Sequence, residues 1–272
     1  MRRAWRLLPL TPGDPAWNMA VDEAILCAYG RGLVPPTLRF YTWEPPAVSC
    51  GRFQDLTEID LSACARMGLA VVRRPTGGRA VLHEGDLTYA VVIGARDGLP
   101  DGTLPSYLYL SRGILAGLAR LGIDAELAAP NEKAGRRSPA CFASPSWYEL
   151  IVGGRKVAGN AQRRVGGDVL QHGSIALSFS PARLAAVLRA PGSEGALAER
   201  LGRAAAGLSE FIPGLTAARL AGAIQEGFAE ALGAEMAEGR LTEAEEAEAL
   251  ARWEEFADPR PPAFAGGQAR LT

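Results

Sequence analysis

Lysine is nearly missing from this chain of 272 residues: of 29 basic residues only Lys133 and Lys156 are lysines, and the rest are arginines. Histidine is as scarce, at positions 83 and 172, and asparagine occurs only at 18, 131 and 160. Four cysteines, Cys27, Cys50, Cys64 and Cys141, form no CxxC pair and no zinc-ligand spacing. A disulfide framework and a structural metal site are therefore not expected. No apolar run approaches the roughly 18 residues that suggest a membrane span. After Met1-Arg2-Arg3-Ala4-Trp5 no apolar core follows that would make a secretion signal, so the cytoplasm is the default expectation. The formal net charge of −1 excludes the strongly basic balance of a nucleic-acid binder.

What is present is a soluble globular composition, 48% hydrophobic and 22% charged. Trp5 to Leu8 alternates as a short strand. Asp14-Pro15 then opens a helix whose stripe runs Met19, Ala20, Ala24, Ile25, Ala28 and stops at Gly30. Strands are expected at Leu38–Trp43, Ala47–Cys50, Ala70–Arg74, Ala80–His83, Asp86–Ile93 and Gln171–Phe179, with a hairpin turning at Gly153-Gly154. A helix covers about 106–121. From Pro181 the pattern turns helical, with helices at about 182–188, 216–232 and 242–256. The expected fold is α+β: one domain with a mixed, antiparallel-rich sheet, packed helices, a core over about 36–235 and a helical C-terminal part over about 236–272.

Three segments carry chemistry. In Arg73-Arg74-Pro75-Thr76-Gly77-Gly78-Arg79-Ala80-Val81-Leu82-His83 a Gly-Gly turn permits close backbone approach to a ligand, and the arginines suit an anionic or carbonyl-bearing one; a plain hairpin and a buried structural histidine remain open. In Gly153-Gly154-Arg155-Lys156-Val157-Ala158-Gly159 a lysine sits in a strand among small residues. Strict alternation puts it on the face of Ala158 and opposite Val157, and an edge-strand lysine that deters aggregation is the competing reading. In Ser138–Glu149, Cys141 lies in a loop of small residues near Lys133, Arg136 and Arg137, where positive charge favours a thiolate; an inert thiol is the alternative. Cys27, Cys50 and Cys64 sit in helices or strands and are expected to be inert.

Together these segments resemble the biotin/lipoyl protein ligase and octanoyltransferase family, and within it the LipM-type octanoyltransferases. The resemblance rests on Arg73, Arg74, Gly77, Gly78 and His83, on Gly154-Arg155-Lys156-Val157-Ala158-Gly159, on Cys141-Phe142 with Pro145-Ser146-Trp147-Tyr148-Glu149, and on Gln171-His172-Gly173. It implies the catalytic-domain fold of that family. It implies Cys141 as acyl carrier and Lys156, fifteen positions on, as the active-site lysine, with Arg73, Gly77, Gly78, His83, Gly159 and His172 around the substrate. It implies a monomer with no cofactor that takes octanoyl from octanoyl-acyl carrier protein to a lysine of the glycine cleavage system H protein or another lipoyl domain, in lipoate biosynthesis. Arg79 and Gly85-Asp86 depart from the pattern of the ATP-dependent ligases, which argues against adenylate chemistry. An ATP-dependent lipoate-protein ligase, an amidotransferase between lipoyl-bearing proteins and a non-catalytic binding module are the competing readings. Leu82, Val157 and Val72 are candidates for an acyl slot, and Arg73, Arg74, Arg79, Arg136, Arg137, Arg155, Arg163 and Arg164 for a basic rim facing acidic carriers.

Overall fold

The computed structural model describes residues 3–128 and 149–260. Its frame is an eight-stranded mixed sheet in the order β11-β1-β2-β6-β10-β9-β8-β7. The strands are β1 (Arg3–Gly13), β2 (Thr37–Trp43), β6 (Asp86–Gly94), β7 (Ala125–Leu127), β8 (Leu150–Val152), β9 (Arg155–Val165), β10 (Asp168–Ala176) and β11 (Ala234–Glu238). Only the β1–β11 and β1–β2 pairings are parallel, so the sheet is antiparallel-rich, as expected. A second sheet of β3 (Ala47–Cys50), β4 (Ala70–Arg73) and β5 (Val81–His83) stands beside it with order β4-β3-β5.

Each face of the large sheet is buried by a helix pair. The first strand shows why: Trp5 and Leu7 enter one apolar cluster and Leu8 enters the other. On the first face lie α3 (Thr103–Arg120) and α6 (Ala217–Leu232), which give Leu110, Ile114, Leu118, Ile224 and Phe228 to the core. On the second lie α1 (Pro15–Gly30) and α7 (Glu243–Ala257). The start of α1 follows the sequence: the Asp14 carboxylate accepts the Trp17 N–H at 2.9 Å and Pro15 takes the first helical position. A buried ion pair fixes α7, Arg6 Nη1 and Nη2 donating to Glu245 Oε2 and Oε1 at 2.7 and 2.5 Å. The small sheet packs on α2 (Leu61–Arg66), α4 (Pro181–Ala186) and α5 (Glu194–Ala204).

Three elements differ from the reading of the sequence. The first strand is eleven residues long, because Pro9 and Pro12 disguise it and its ladder to β2 slips between Leu8 and Thr11. Residues 234–238, Ala-Glu-Met-Ala-Glu, have helical propensity yet form β11, since Gly233 ends α6 and β1 offers a parallel partner, Trp5 opposite Met236. The amphipathic α5 escaped notice; Ser193 caps it and Leu197 and Leu201 are its buried stripe.

Helices α3 and α6 touch backbone to backbone. A Cβ on Gly227 would stand 2.2 Å from the Gly117 nitrogen and 2.3 Å from the Gly113 oxygen. Gly227→Ala therefore forces the pair apart, and urea unfolding should show a loss of about 1–3 kcal/mol, the usual cost of overpacking. An unchanged midpoint would show that this contact has slack.

Candidate active site

The site is built where the two sheets meet. After β4 the chain turns through Arg74-Pro75-Thr76-Gly77-Gly78-Arg79 and returns as β5. Arg74 is buried and holds that turn from inside: Nε and Nη2 donate to the Gly77 carbonyl at 3.1 and 2.8 Å, and Nη2 also to Arg79 O at 2.8 Å. Its Nη1 donates to the Ser49 carbonyl at 2.9 Å. The Thr76 carbonyl accepts the Arg52 N–H at 2.8 Å. Glycine is required on both sides, since Gly78 has φ +97° and a Cβ on Gly51 would lie 2.0 Å from the Gly78 oxygen. The carbonyls of Thr76, Gly77 and Arg79 are thus committed to the protein. Among the described residues none of the loop backbone bonds uses the Gly77 or Gly78 N–H.

Beside the turn opens a cavity of about 410 Å³, counting its open mouth. Met19, Tyr41, Trp43 and Val81 give it apolar walls, and Ser49, Arg74, His83, Asn160, His172 and Ser174 line it with polar groups. Gly78, Gly159 and Ala161 leave it backbone-close walls. Both histidines are buried and held at both nitrogens. His83 Nδ1 meets Asp86 Oδ2 at 2.9 Å and Nε2 meets Ser49 Oγ at 2.8 Å, with the Trp43 ring stacked on it at 3.8 Å. His172 Nδ1 meets Asp22 Oδ2 at 3.1 Å and Nε2 meets Thr76 Oγ1 at 2.6 Å. Burial holds the His172 imidazole below its ordinary pKa, against the pull of Asp22. Burial alone would raise the Asp22 carboxyl, but the His172 hydrogen bond and the Arg39 charge outweigh it and hold it low.

Lys156 is 2% exposed and donates to Glu149 Oε1 at 2.5 Å. Its orientation comes from a β-bulge. Ala158 pairs with Leu150, but Lys156 pairs with Ile151, so Val157 is an extra residue on β9. Val157 and Ala158 both enter the core under α3 and α6. Lys156 is thereby turned to the opposite face, where Glu149 and Ile151 also point, which corrects the alternation expected from sequence. The ammonium does not line the cavity wall, but Tyr107 and Asn160 join the two: Asn160 Nδ2 donates to Tyr107 OH at 3.1 Å, and Tyr107 feels the charges of Glu149 and Lys156.

Of the expected site residues, Gly78, His83, Gly159 and His172 line one cavity, and Gly77 shapes the turn beside it. Arg73 stands apart: its guanidinium donates to the carbonyls of Gly51, Arg52, Gln54 and Pro259, tying the turn region to the end of the last helix. Cys141 lies outside the described residues, as do Arg136 and Arg137. The other thiols are poor nucleophiles. Burial raises the pKa of Cys27 and Cys50, and pushes Cys64 up to about 11. The acyl-slot candidates are corrected: Val157 and Val72 lie in core clusters and Leu82 faces a separate cleft near Phe179. The basic rim is also reduced, because Arg79, Arg155, Arg163 and Arg164 pair with Glu58, Glu210, Glu23 and Asp101. The sequence motifs include Glu149 and Asp86 without giving either a role in the site, and Ser49, Tyr41 and Trp43 stand outside them. The carboxylate three residues after His83, at a spacing that brings it back to the ring, was the one legible signal. Among the described residues no group of three His, Cys, Asp or Glu side chains is arranged to hold a metal ion.

Comparison with known proteins gives a consistent result. Residues 14–229 match the model of the lipoyl protein ligase A/B catalytic domain. The octanoyltransferase LipM of Kyrpidia tusciae is 47% identical over 258 residues, covering 90% of this chain and 93% of that protein. The protein of the same name from Symbiobacterium thermophilum is 48% identical, covering 92% and 94%. Among solved structures, a bipartite lipoate protein ligase from Thermoplasma acidophilum, described with its E2 lipoyl domain, superposes with a TM-score of 0.77. It is 26% identical and 94% of each chain is covered.

Removing one member of a buried ion pair typically costs about 3–5 kcal/mol. Glu149→Ala should therefore lower the free energy of unfolding in urea by an amount in that range, and Lys156→Met in the same background should recover part of it. A Glu149→Ala protein as stable as the parent would show that the pair carries no such coupling.

Proposed function

The chain belongs to the lipoyl protein ligase A/B catalytic-domain family and is an octanoyltransferase of lipoate biosynthesis, and from that premise we propose that it works through a thioester on Cys141, with Lys156 as its proton-handling and charge-stabilising partner. The observation that carries this reading is the buried Lys156–Glu149 pair, linked through Tyr107 to Asn160 in the cavity wall. Cys141 precedes Glu149 by only eight residues, so chain connectivity keeps its sulfur within about 28 Å of the pair even if fully extended. The three remaining cysteines have raised pKa values, which leaves Cys141 as the thiol suited to nucleophilic work.

The donor is octanoyl-acyl carrier protein, already a thioester, so no adenylation is needed. The Cys141 thiolate attacks the acyl carbonyl, the new C–S bond forms as the donor's C–S bond breaks, and the carrier sulfur leaves as a thiol with the proton that Cys141 gave up. The amine of a lysine on the glycine cleavage H protein, or on another lipoyl domain, then attacks the Cys141 thioester. The amide bond forms as the C–S bond breaks, and the amine proton passes to the departing sulfur. This is two-step covalent catalysis, and formation of the amide draws the near-balanced first step forward. A Lys156 ammonium favours the thiolate and faces the oxyanion, and the N–H groups of Gly77 and Gly78, used by no loop backbone bond among the described residues, are suited to the same oxygen. The acyl chain lies against Met19, Tyr41, Trp43 and Val81. The enzyme acts in the cytoplasm as a monomer; among the described residues no helix is long and apolar enough to cross a membrane.

Incubated with octanoyl-acyl carrier protein, the protein should gain one octanoyl mass, and Cys141→Ala should not. An adduct surviving in that variant would refute the thioester assignment. Lys156→Ala should slow loading and transfer by about 100-fold or more, the usual cost of losing one oxyanion donor. Transfer should need no ATP, and free octanoate with ATP should be inert.

A further inference from the structure

Both of the chain's histidines are wired in the same way, and their bonds converge on the Gly77–Gly78 turn. In each ring Nδ1 faces an aspartate and Nε2 faces a hydroxyl: Asp86–His83–Ser49 on one side, Asp22–His172–Thr76 on the other. The aspartates are themselves held. Asp86 Oδ2 also accepts from Thr88 Oγ1 at 3.0 Å and Ser174 Oγ at 2.7 Å; Asp22 accepts from Arg39 Nη1 at 2.7 Å and Tyr41 OH at 2.8 Å. The hydroxyls are the last links before the turn. Thr76 belongs to it. Ser49 offers both its carbonyl and its Oγ to Arg74, at 2.9 and 3.2 Å, and Arg74 holds the carbonyls of Gly77 and Arg79.

We propose that Ser49, Thr76, His83 and His172 are positioning residues, two carboxylate–imidazole–hydroxyl relays that together fix the Gly77–Gly78 turn for acyl transfer. The proton placement follows from the partners. An ionised carboxylate can only accept, so each Nδ1 carries the hydrogen; a neutral ring then presents Nε2 as an acceptor, and Ser49 and Thr76 must donate to it. Their lone pairs are left facing outward, and that of Ser49 accepts from Arg74. Protonation of either ring would put a second hydrogen between Nε2 and the hydroxyl and turn the hydroxyl around. The charged and titratable groups facing His172 are Asp22 from α1, Arg39 and Tyr41 from β2, Arg74 from the turn and His83 from β5. The arrangement resembles the orienting half of a hydrolase triad, but the hydroxyl is spent on protein contacts: it positions and does not attack.

The inference rests on the acyl carbonyl reacting against this turn. Two measurements separate its failure from that of the function itself. The first is nitrogen NMR of the histidine-labelled protein, whose two rings are assigned with His83→Gln. Both rings should carry the hydrogen on Nδ1 and leave Nε2 bare, the minority tautomer of imidazole in water. An Nε2–H ring at either position would overturn the proposal whatever the enzyme's activity. The second is octanoyl loading. Thr76→Val and Ser49→Ala should each lower the rate at saturating donor by about 10- to 100-fold with KM little changed, the cost of sub-ångström misplacement at a reacting centre. Thr76→Ser should restore the rate. The double variant should lose less than the product of the single losses, because both relays act on one turn. Folded single variants that load at the parent rate, or losses that multiply, would also overturn it. A parent protein that takes no octanoyl mass would instead sink the proposed function and leave the tautomer result standing.

Discussion

A lysine ammonium at 2% exposure is a charge taken out of water, and much of this site follows from the need to compensate it. Glu149 must reach it, so the segment entering β8 must run along the face on which Lys156 emerges. That face is set by the bulge at Val157, which spends two consecutive residues on the core and turns the lysine the other way. Regular alternation would have put the ammonium on the face of Leu150, Ala158 and Ile175, inside the apolar cluster. The bulge, the carboxylate and the lysine are therefore one device.

The same rule governs the other buried charges on that side of the sheet. Arg39 is paired with Asp22, Arg6 with Glu245, and Arg74 spends its donors on backbone carbonyls and Ser49. The Arg39 and Arg6 pairs lie on the face under α1 and α7, while the face under α3 and α6 holds the larger apolar cluster. That second face is not purely apolar: Tyr89 bonds to Asn160 and Gln171, and Asn160 to Tyr107 of α3, so directional bonds on both faces place the turn, the cavity and the cation relative to each other. Arg73 extends the frame to Pro259, so the C-terminal helix serves the site without touching it.

Much of the frame was legible. Asp14-Pro15 marked a helix start, alternation marked the strand around Phe40, and the Gly-Gly turn and the β9 lysine stood out by composition. What escaped depends on partners far away in sequence. The bulge is a statement about the register of β8 against β9, and no local property of Lys156-Val157-Ala158 encodes it. The strand state of Ala234–Glu238 exists only because β1 is there to pair. Tyr41 and Trp43 read as ordinary core residues of an alternating strand, and it takes the position of the second sheet to make them cavity walls. Leu82 was misread for the converse reason, since β5 presents Val81 and His83 to the cavity and Leu82 away from it.

The distribution of basic residues closes the argument. The chain uses arginine at every described basic position except one, including buried sites where a planar fork grips carbonyls or carboxylates. Arginine serves those roles because it stays charged under all ordinary conditions. At position 156 that constancy would be a defect. In the proposed mechanism the acyl group passes from sulfur to nitrogen and protons move at each step, so the group placed beside the reacting carbonyl has to be able to give one up and take it back. Lysine next to a buried carboxylate can do so, because the pair can exchange a proton internally without changing its net charge. In a sequence so biased toward arginine, the side chain retained at the site is the one whose proton can move.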